Sequence, residues 1–102
     1  MKVVTICGSL RFEKEMIDIA FDLEINKGYC VIQCVYDSKN LMLTEKQTQN
    51  IVDCHWRKID ISDAIYVVNI GGYIGQSTKN EIEYAKRNGK EVIYHEQPKE
   101  QA

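Results

Sequence analysis

Four short apolar runs, separated by longer segments with helical periodicity, constrain the fold of this chain most strongly. The runs are rich in β-branched residues and bounded by turn residues, which favours strands over helices. The predicted strands are residues 2–7, 29–35, 63–69 and 90–95. The segments between them repeat apolar residues at the spacing of a helix face. The predicted helices are residues 12–26, 44–62 and 77–88.

This alternation, βαβαβαβ, predicts an α/β protein whose parallel strands are joined by right-handed crossovers. The expected strand order is 2-1-3-4, which is a small flavodoxin-like or Rossmann-like three-layer fold. Strands 1 and 3 are then neighbours at the point where the strand order reverses, and ligands of open α/β sheets bind at that point. The turns that follow these two strands, at residues 8–11 and 70–77, are therefore predicted to meet in one cleft.

The composition limits the number of domains, the partners and the location that this chain can be expected to have. A chain of 102 residues with 44% apolar residues and one Pro predicts a single domain, over residues 1–96, with a polar tail at 97–102. A formal net charge of −2 without a basic cluster argues against a nucleic acid polymer or a membrane as partner. No apolar run has membrane-spanning length and residues 1–9 lack a signal-peptide pattern, so the expected location is cytoplasmic.

The cysteines are expected to be small buried apolar side chains. They are Cys7, Cys30, Cys34 and Cys54. Their spacing contains no C-x-x-C pair and is not that of a zinc site. A disulfide framework requires an oxidising compartment, which nothing in the sequence indicates. The prediction is therefore a protein with no metal site and no other cofactor.

The segment from residue 63 to residue 85 carries the strongest functional signal, because a strand leads through glycines into a helix. Its polar and flexible positions are Gly71, Gly72, Gly75, Ser77, Thr78 and Glu81. Glycines let a ligand approach the main chain closely or permit positive φ. A helix N-terminus at the end of a strand favours bound anions. The hypothesis is that Glu81 is the reactive group.

Two interpretations of Glu81 remain open. The spacing of Thr78 and Glu81 fits a capping box, in which each side chain satisfies a main-chain N–H at the helix start. That structural role is the more common explanation of such a spacing. In the functional interpretation, the carboxylate faces the cleft, where an anion favours the oxocarbenium-like state of glycoside or N-glycoside cleavage. The two roles can coexist.

The first turn adds Gly8, Ser9 and Arg11 to the predicted cleft. A hydroxyl beside free helix N–H groups and a planar cation suit a phosphate or a carboxylate, although a plain turn with a surface Arg fits equally well. His55 joins the site if the second helix turns that face towards it, where an imidazole could exchange protons. A lone histidine on a helix is more often a structural group.

These motifs resemble those of the nucleoside 2-deoxyribosyltransferase-like superfamily, which includes the 2′-deoxynucleoside 5′-phosphate N-hydrolases. The resemblance rests on C-G-S-L-R at 7–11, D-A-I-Y-V-V at 63–68 and S-T-K-N-E-I-E-Y-A at 77–85. It spans residues 3–95, and the short form is like that of bacterial and phage members.

The resemblance implies a reaction and a ligand. In the family, the glutamate at the position of Glu81 attacks C1′ and forms a glycosyl-enzyme, and Thr78 matches the motif threonine. Ser9 and Arg11 are implied to contact the sugar or the 5′-phosphate. The implied partner is a small nucleoside or nucleotide, without a cofactor, and the implied assembly is a homo-oligomer.

The chain departs from the family pattern at three positions. His55 stands where an acid is usual, Gly75 stands where an Asp or Ser is usual, and Glu83 replaces a glycine. These departures leave a second hypothesis open, in which the protein is a nucleotide-binding module that has the same cleft but does not catalyse a reaction. A third hypothesis is a phosphoribohydrolase of the lysine-decarboxylase-like type, whose motif is P-G-G-x-G-T-x-x-E. It is less favoured because the spacing from Gly71 to Glu81 is longer than in that motif and the motif proline is missing.

Overall fold

Four parallel strands form the centre of the fold in a computed structural model that describes residues 1–36 and 41–98. They are β1 (Val3–Gly8), β2 (Cys30–Ile32), β3 (Ala64–Val68) and β4 (Glu91–Tyr94). Their order in the sheet is β2-β1-β3-β4, with every neighbouring pair parallel. The predicted fold class and strand order are therefore confirmed.

Three α-helices cover the sheet in the described part of the chain. They are α1 (Glu13–Asp22), α2 (Glu45–Asp60) and α3 (Gln76–Arg87). The α1 helix packs on one face of the sheet, and α2 and α3 pack on the other. Across residues 1–36 and 41–98, none of the helices has both the length and the apolar character needed to cross a bilayer.

Local sequence signals account for the ends of these helices. The α2 helix starts at a capping box, in which the Gln47 N–H donates to Thr44 Oγ1 at 3.1 Å and the Thr44 N–H donates to Gln47 Oε1 at 2.9 Å. A π-helical turn, Leu23–Lys27, extends α1 and ends at Gly28, whose φ of 69° favours glycine. These signals confirm the predicted start of α2 and the predicted stop after α1.

The alternation of side chains along β1 divides the core into two layers. Ile6 faces α1, and the next residue, Cys7, faces α2 and α3. The buried residues on the α1 side are Ile6, Met16, Ala20 and Val68. Those on the other side are Cys7, Ile59, Ile65, Val67, Ile82 and Ala85. Of the last two side chains of β1, only Cys7 has a polar atom, and it lies on the side of α2 and α3.

Two local predictions need correction. The β2 strand covers Cys30–Ile32 instead of residues 29–35, because this edge strand pairs only along three residues of β1. Cys7 is buried as predicted, but Cys30 and Cys54 are exposed. Cys30 lies on the edge strand, and Cys54 lies on α2 at the wall of a cleft, so neither side chain has a layer above it.

Parts of two predicted segments lie outside the described residues. These parts are residues 37–40 of the polar connection before α2 and residues 99–102 of the tail. Just before the tail, the Glu96 main chain exchanges two hydrogen bonds with the buried Asn69 side chain, at 2.7 and 2.8 Å. The chain therefore remains attached to the sheet as far as Glu96.

Candidate functional site

A cleft of about 620 Å³ lies between the carboxyl end of β1, the start of α3 and one side of α2. The segment that follows β2 closes its remaining side through Cys34 and Val35. Small-molecule sites of proteins have volumes of about 300–1,000 Å³. The cleft is thus large enough for a ligand of nucleoside or nucleotide size. It also lies beside the carboxyl ends of strands, where the strand order predicts a ligand site.

Most of the residues predicted for the site line this cleft. From the first turn come Gly8 and Ser9, and from α2 comes His55. The α3 segment contributes Gly75, Ser77, Thr78 and Glu81. The two separate turns therefore meet, as the strand order predicts.

Three predicted site residues lie elsewhere. The exposed Arg11 guanidinium lies over the Tyr73 ring, 3.7 Å from its centroid, in a cation–π contact. Gly71 and Gly72 have φ values of 66° and 83° and line a separate recess, where the Gly71 N–H donates to a Glu96 carboxylate oxygen at 3.1 Å. Positive φ is the conformation that glycine adopts readily, so a tight turn accounts for both glycines.

Glu81 does not cap its own helix, and the predicted capping box at Thr78 is wrong. The α3 helix begins at Gln76 after Gly75, and no side chain in the described residues caps it. Thr78 is already inside the helix and is buried, so its spacing to Glu81 no longer corresponds to the capping positions. The Glu81 carboxylate is therefore left to interact in the cleft.

Three side chains converge at the base of the cleft, namely Cys7, His55 and Glu81, and are called the Cys7 cluster below. His55 Nε2 lies 3.6 Å from Cys7 Sγ and 3.4 Å from Glu81 Oε1. The latter contact becomes an ion pair when the imidazole is protonated. Cys7 is buried, whereas the His55 and Glu81 side chains remain 15% and 16% exposed towards the cleft. Burial, and secondly the Glu81 carboxylate, raise the pKa of the Cys7 thiol well above its usual range.

Helical spacing explains why His55 and Glu81 point inwards. His55 precedes the fully buried Ile59 by four residues, so both lie on the face of α2 that packs on the sheet. Glu81 follows the buried Thr78 by three residues and precedes the buried Ala85 by four. Each polar side chain thus extends an apolar helix face beyond the sheet edge and into the cleft.

Sequence reasoning misses Cys7 as a site residue and classes it only as a buried apolar side chain. Its position offers a signal, because it is the last side chain of β1 before Gly8 and alternation places it on the α2 side. Lys58 and Asn80 also line the cleft without having been predicted. The Lys58 ammonium donates to the Gln33 carbonyl at 2.8 Å.

The Cys7 cluster brings one carboxylate, one imidazole and one thiol together, and two further thiols, Cys34 and Cys54, line the cleft outside it. Glu81 is the sole carboxylate among the described residues that line it. Comparisons of the chain with protein-family models, curated proteins and solved structures gave no match. The function therefore has to be inferred from the chemistry of the site itself.

Proposed function

We propose that the protein cleaves the N-glycosidic bond of a nucleoside or nucleotide, or transfers its 2-deoxyribosyl group, through a glycosyl-enzyme on Glu81. The observation that carries this proposal is the position of the Glu81 carboxylate. It faces a cleft of nucleoside size, it does not cap its own helix, and it contacts His55. An anion held in this way stabilises positive charge that develops on a sugar carbon.

The reaction balances with one carboxylate. A Glu81 oxygen attacks C1′, the C1′–N bond breaks, and its electron pair leaves with the base, which takes up a proton. Water or a second base then attacks C1′ of the glycosyl ester, and the carboxylate is restored. Retaining and inverting glycosidases both usually pair two carboxylates. The described lining residues offer Glu81 alone, so we assign it the part of the nucleophile, and the base takes its proton from another group.

His55 fits the role of a positioning residue. Its Nε2 lies 3.4 Å from the Glu81 carboxylate, so a sugar attacked by Glu81 would have both side chains on one side. A base displaced in line leaves from the opposite side, beyond the reach of this imidazole. His55 therefore orients the carboxylate, and the base takes its proton from another donor.

The rest of the cleft suits the two ends of such a substrate. The α3 helix starts in the cleft at Gln76, and a helix N-terminus favours a phosphate through its free N–H groups. Ser9 and Ser77 also line the cleft. Ile51 and Val52 provide an apolar wall for a base. Arg11 contacts the phosphate only if it leaves the Tyr73 ring.

The test is release of free base, measured by chromatography over a panel of nucleosides and 5′-monophosphates. We expect Glu81→Ala to abolish release, and the matched variant Glu83→Ala to retain it, because Glu83 is exposed on the same helix. Intact-mass measurement during turnover should show a sugar adduct on the wild-type chain and on Glu83→Ala, and none on Glu81→Ala. Full activity of Glu81→Ala would end the proposal.

A nucleotide-binding module without catalysis is the second candidate. The observation in its favour is that, in the described lining, no second acid stands ready to protonate the base. Thermal unfolding with and without nucleotides, followed by the base-release assay, separates the two functions. Stabilisation by nucleotides without base release from any member of the panel would select the binding module.

We propose further that the chain forms a homo-oligomer and acts in the cytoplasm on small ligands, without a nucleic acid polymer or a membrane. Three apolar side chains lie exposed on and just after α1, Ile17 at 45%, Phe21 at 67% and Ile25 at 61%, and a second copy could cover them. The four free thiols are typical of a reducing compartment. Light scattering should show an oligomer that Phe21→Glu dissociates, and a monomeric wild-type chain would contradict this assembly.

A further inference from the structure

Two of the three distances within the Cys7 cluster match those of a metal site, and the third pair of atoms, on Cys7 and Glu81, lies within 4.8 Å. Zinc binds thiolate sulfur at about 2.3 Å and imidazole nitrogen or carboxylate oxygen at about 2.0–2.2 Å. At the tetrahedral angle, these bond lengths place neighbouring nitrogen and sulfur ligands about 3.6 Å apart, and nitrogen and oxygen about 3.3 Å apart. The observed separations are 3.6 Å and 3.4 Å, and all three ligand atoms lie within 4.8 Å of one another.

Hydrogen bonding alone explains the cluster less well. Both contacts of the imidazole are made by the same atom, Nε2, which faces Cys7 Sγ and Glu81 Oε1 together. A single ring nitrogen either donates one proton or accepts one, so it satisfies only one of these neighbours well at a time. A cation between the three atoms would use a lone pair from each.

We propose that Cys7, His55 and Glu81 form a Zn²⁺ site whose fourth position opens into the cleft. Thiolate, imidazole and carboxylate are the three ligand types of zinc, whereas Mg²⁺ and Ca²⁺ prefer oxygen alone. Three protein ligands and one open position are typical of zinc that exchanges a water or a small ligand. The open position follows from the partial exposure of His55 and Glu81 on the cleft side.

The charges of such a site balance. Zinc carries +2, and the Cys7 thiolate and the Glu81 carboxylate carry −1 each, so that with a neutral imidazole the buried set has no net charge. The Cys7 thiol has to release its proton to solvent on binding, because only the thiolate is a ligand. Burial opposes that release in the metal-free protein, and the bound cation offsets the cost.

The metal would regulate the cleft. A carboxylate bound to zinc has its lone pair engaged and cannot attack C1′. Zn²⁺ should therefore inhibit base release, and a chelator should restore it. This consequence rests on the proposed function, whereas the metal site itself does not.

The test uses the reduced, chelator-treated full chain. Titration with Zn²⁺ by calorimetry, with Mg²⁺ as comparison, should give one Zn²⁺ per chain and no Mg²⁺. Titration with Co²⁺ should give the absorption of four-coordinate cobalt together with a sulfur-to-cobalt charge-transfer band. The band reports directly whether a cysteine sulfur holds the metal.

Variants identify the ligands. Cys7→Ala should remove the charge-transfer band and weaken Zn²⁺ binding about a hundredfold or more. Glu81→Gln, which keeps the side-chain volume, should weaken binding and retain the band. Cys54→Ala and Cys34→Ala are controls, because both thiols line the cleft outside the cluster, and both variants should bind as the wild type does. Circular dichroism shows that each variant is folded.

Two results would overturn the inference. One is the absence of stoichiometric Zn²⁺ binding, and the other is a charge-transfer band that survives Cys7→Ala or disappears in Cys54→Ala. The metal titrations are independent of turnover. Base release that depends on Glu81 without Zn²⁺ binding would refute the metal site and keep the proposed function. Zn²⁺ binding by a chain that releases no base in its metal-free form would do the reverse.

Discussion

Two polar side chains of β1 point towards α2, two residues apart, and they meet that helix in opposite ways. Thr5 forms a closed cluster with Ser62 and the Lys58 carbonyl, called the Thr5 cluster below. Its hydroxyl lies 2.6 Å from Ser62 Oγ, and the two hydroxyls lie 3.0 and 2.7 Å from the carbonyl, so that one hydroxyl donates to the other and the other donates to the carbonyl. Cys7 meets His55 only at 3.6 Å, beside an open cleft.

The difference is the one expected between polar groups that support a fold and polar groups that serve a binding or catalytic site. Both the Thr5 and Ser62 side chains are buried, and their hydrogen-bonding capacity is used within the cluster, as is usual for polar groups that only support a fold. The Cys7 cluster has longer contacts and keeps unused lone pairs beside a cavity. We therefore expect changes in the Thr5 cluster to lower stability and changes in the Cys7 cluster to lower activity.

Glu81→Gln should give the largest effect. The amide cannot attack C1′, so base release should fall at least about a thousandfold, as is typical when a nucleophile is removed. The free energy of unfolding should change by less than about 1 kcal/mol, because the side chain keeps its size and partial exposure. Rate assays and denaturant titration measure the two quantities. If the free energy of unfolding fell by as much as the activation free energy of base release rose, Glu81 would support the fold as Thr5 does, and the distinction between the clusters would be wrong.

His55→Gln should give the next effect. If His55 acts by orienting Glu81, the maximal rate of base release should fall about a hundredfold, as for a misplaced reacting group, while the KM changes little. The measurement is a full rate curve against substrate concentration. A higher KM with an unchanged maximal rate would mean that His55 binds substrate and does not position the carboxylate.

Thr5→Val tests the closed cluster. The substitution keeps the shape of the side chain and removes its hydroxyl, so the free energy of unfolding should fall by about 1–2 kcal/mol. Base release should stay at the wild-type level. Thr48→Val, on an exposed position of α2, is the matched control and should leave both quantities nearly unchanged. Loss of base release in folded Thr5→Val would mean that the Thr5 cluster also contributes to activity, which contradicts the distinction between the two clusters.

The sheet is predictable from sequence because its causes are local. β-branched runs, helical periodicity and one capping box at Thr44 and Gln47 are short-range patterns, and right-handed crossovers then leave few strand orders. The meeting of Ser9 with Gly75 and Ser77 follows from the order of the strands alone. The length of β2 does not follow, because an edge strand ends where its single neighbour stops pairing.

The site is predictable only where topology decides it. The contact of His55 with Glu81 joins two helices and depends on how each rotates about its axis, which the spacing of either helix alone leaves open. The capping interpretation of Glu81 is wrong because α3 starts at Gln76, before the predicted cap. Arg11 lies outside the cleft because an aromatic ring, Tyr73, competes for its cation. Each of these outcomes depends on contacts between distant residues.

The smallest expected effect concerns a second closed contact between the helices that carry His55 and Glu81. The Tyr84 hydroxyl donates to the Asp60 carboxylate, which raises the pKa of Tyr84 above the ordinary value of 10.0. A raised pKa in the folded state contributes stability that is complete below about pH 10 and is lost as the pH rises further, because the unfolded chain gives up the proton first.

Tyr84→Phe should therefore lower the free energy of unfolding slightly at neutral pH and reduce the fall of that free energy at alkaline pH. Burial raises the pKa of Tyr66 as well, but Tyr66 is present in both proteins, so the difference between their unfolding curves isolates Tyr84. Identical alkaline curves would mean that this contact does not hold the two helices together.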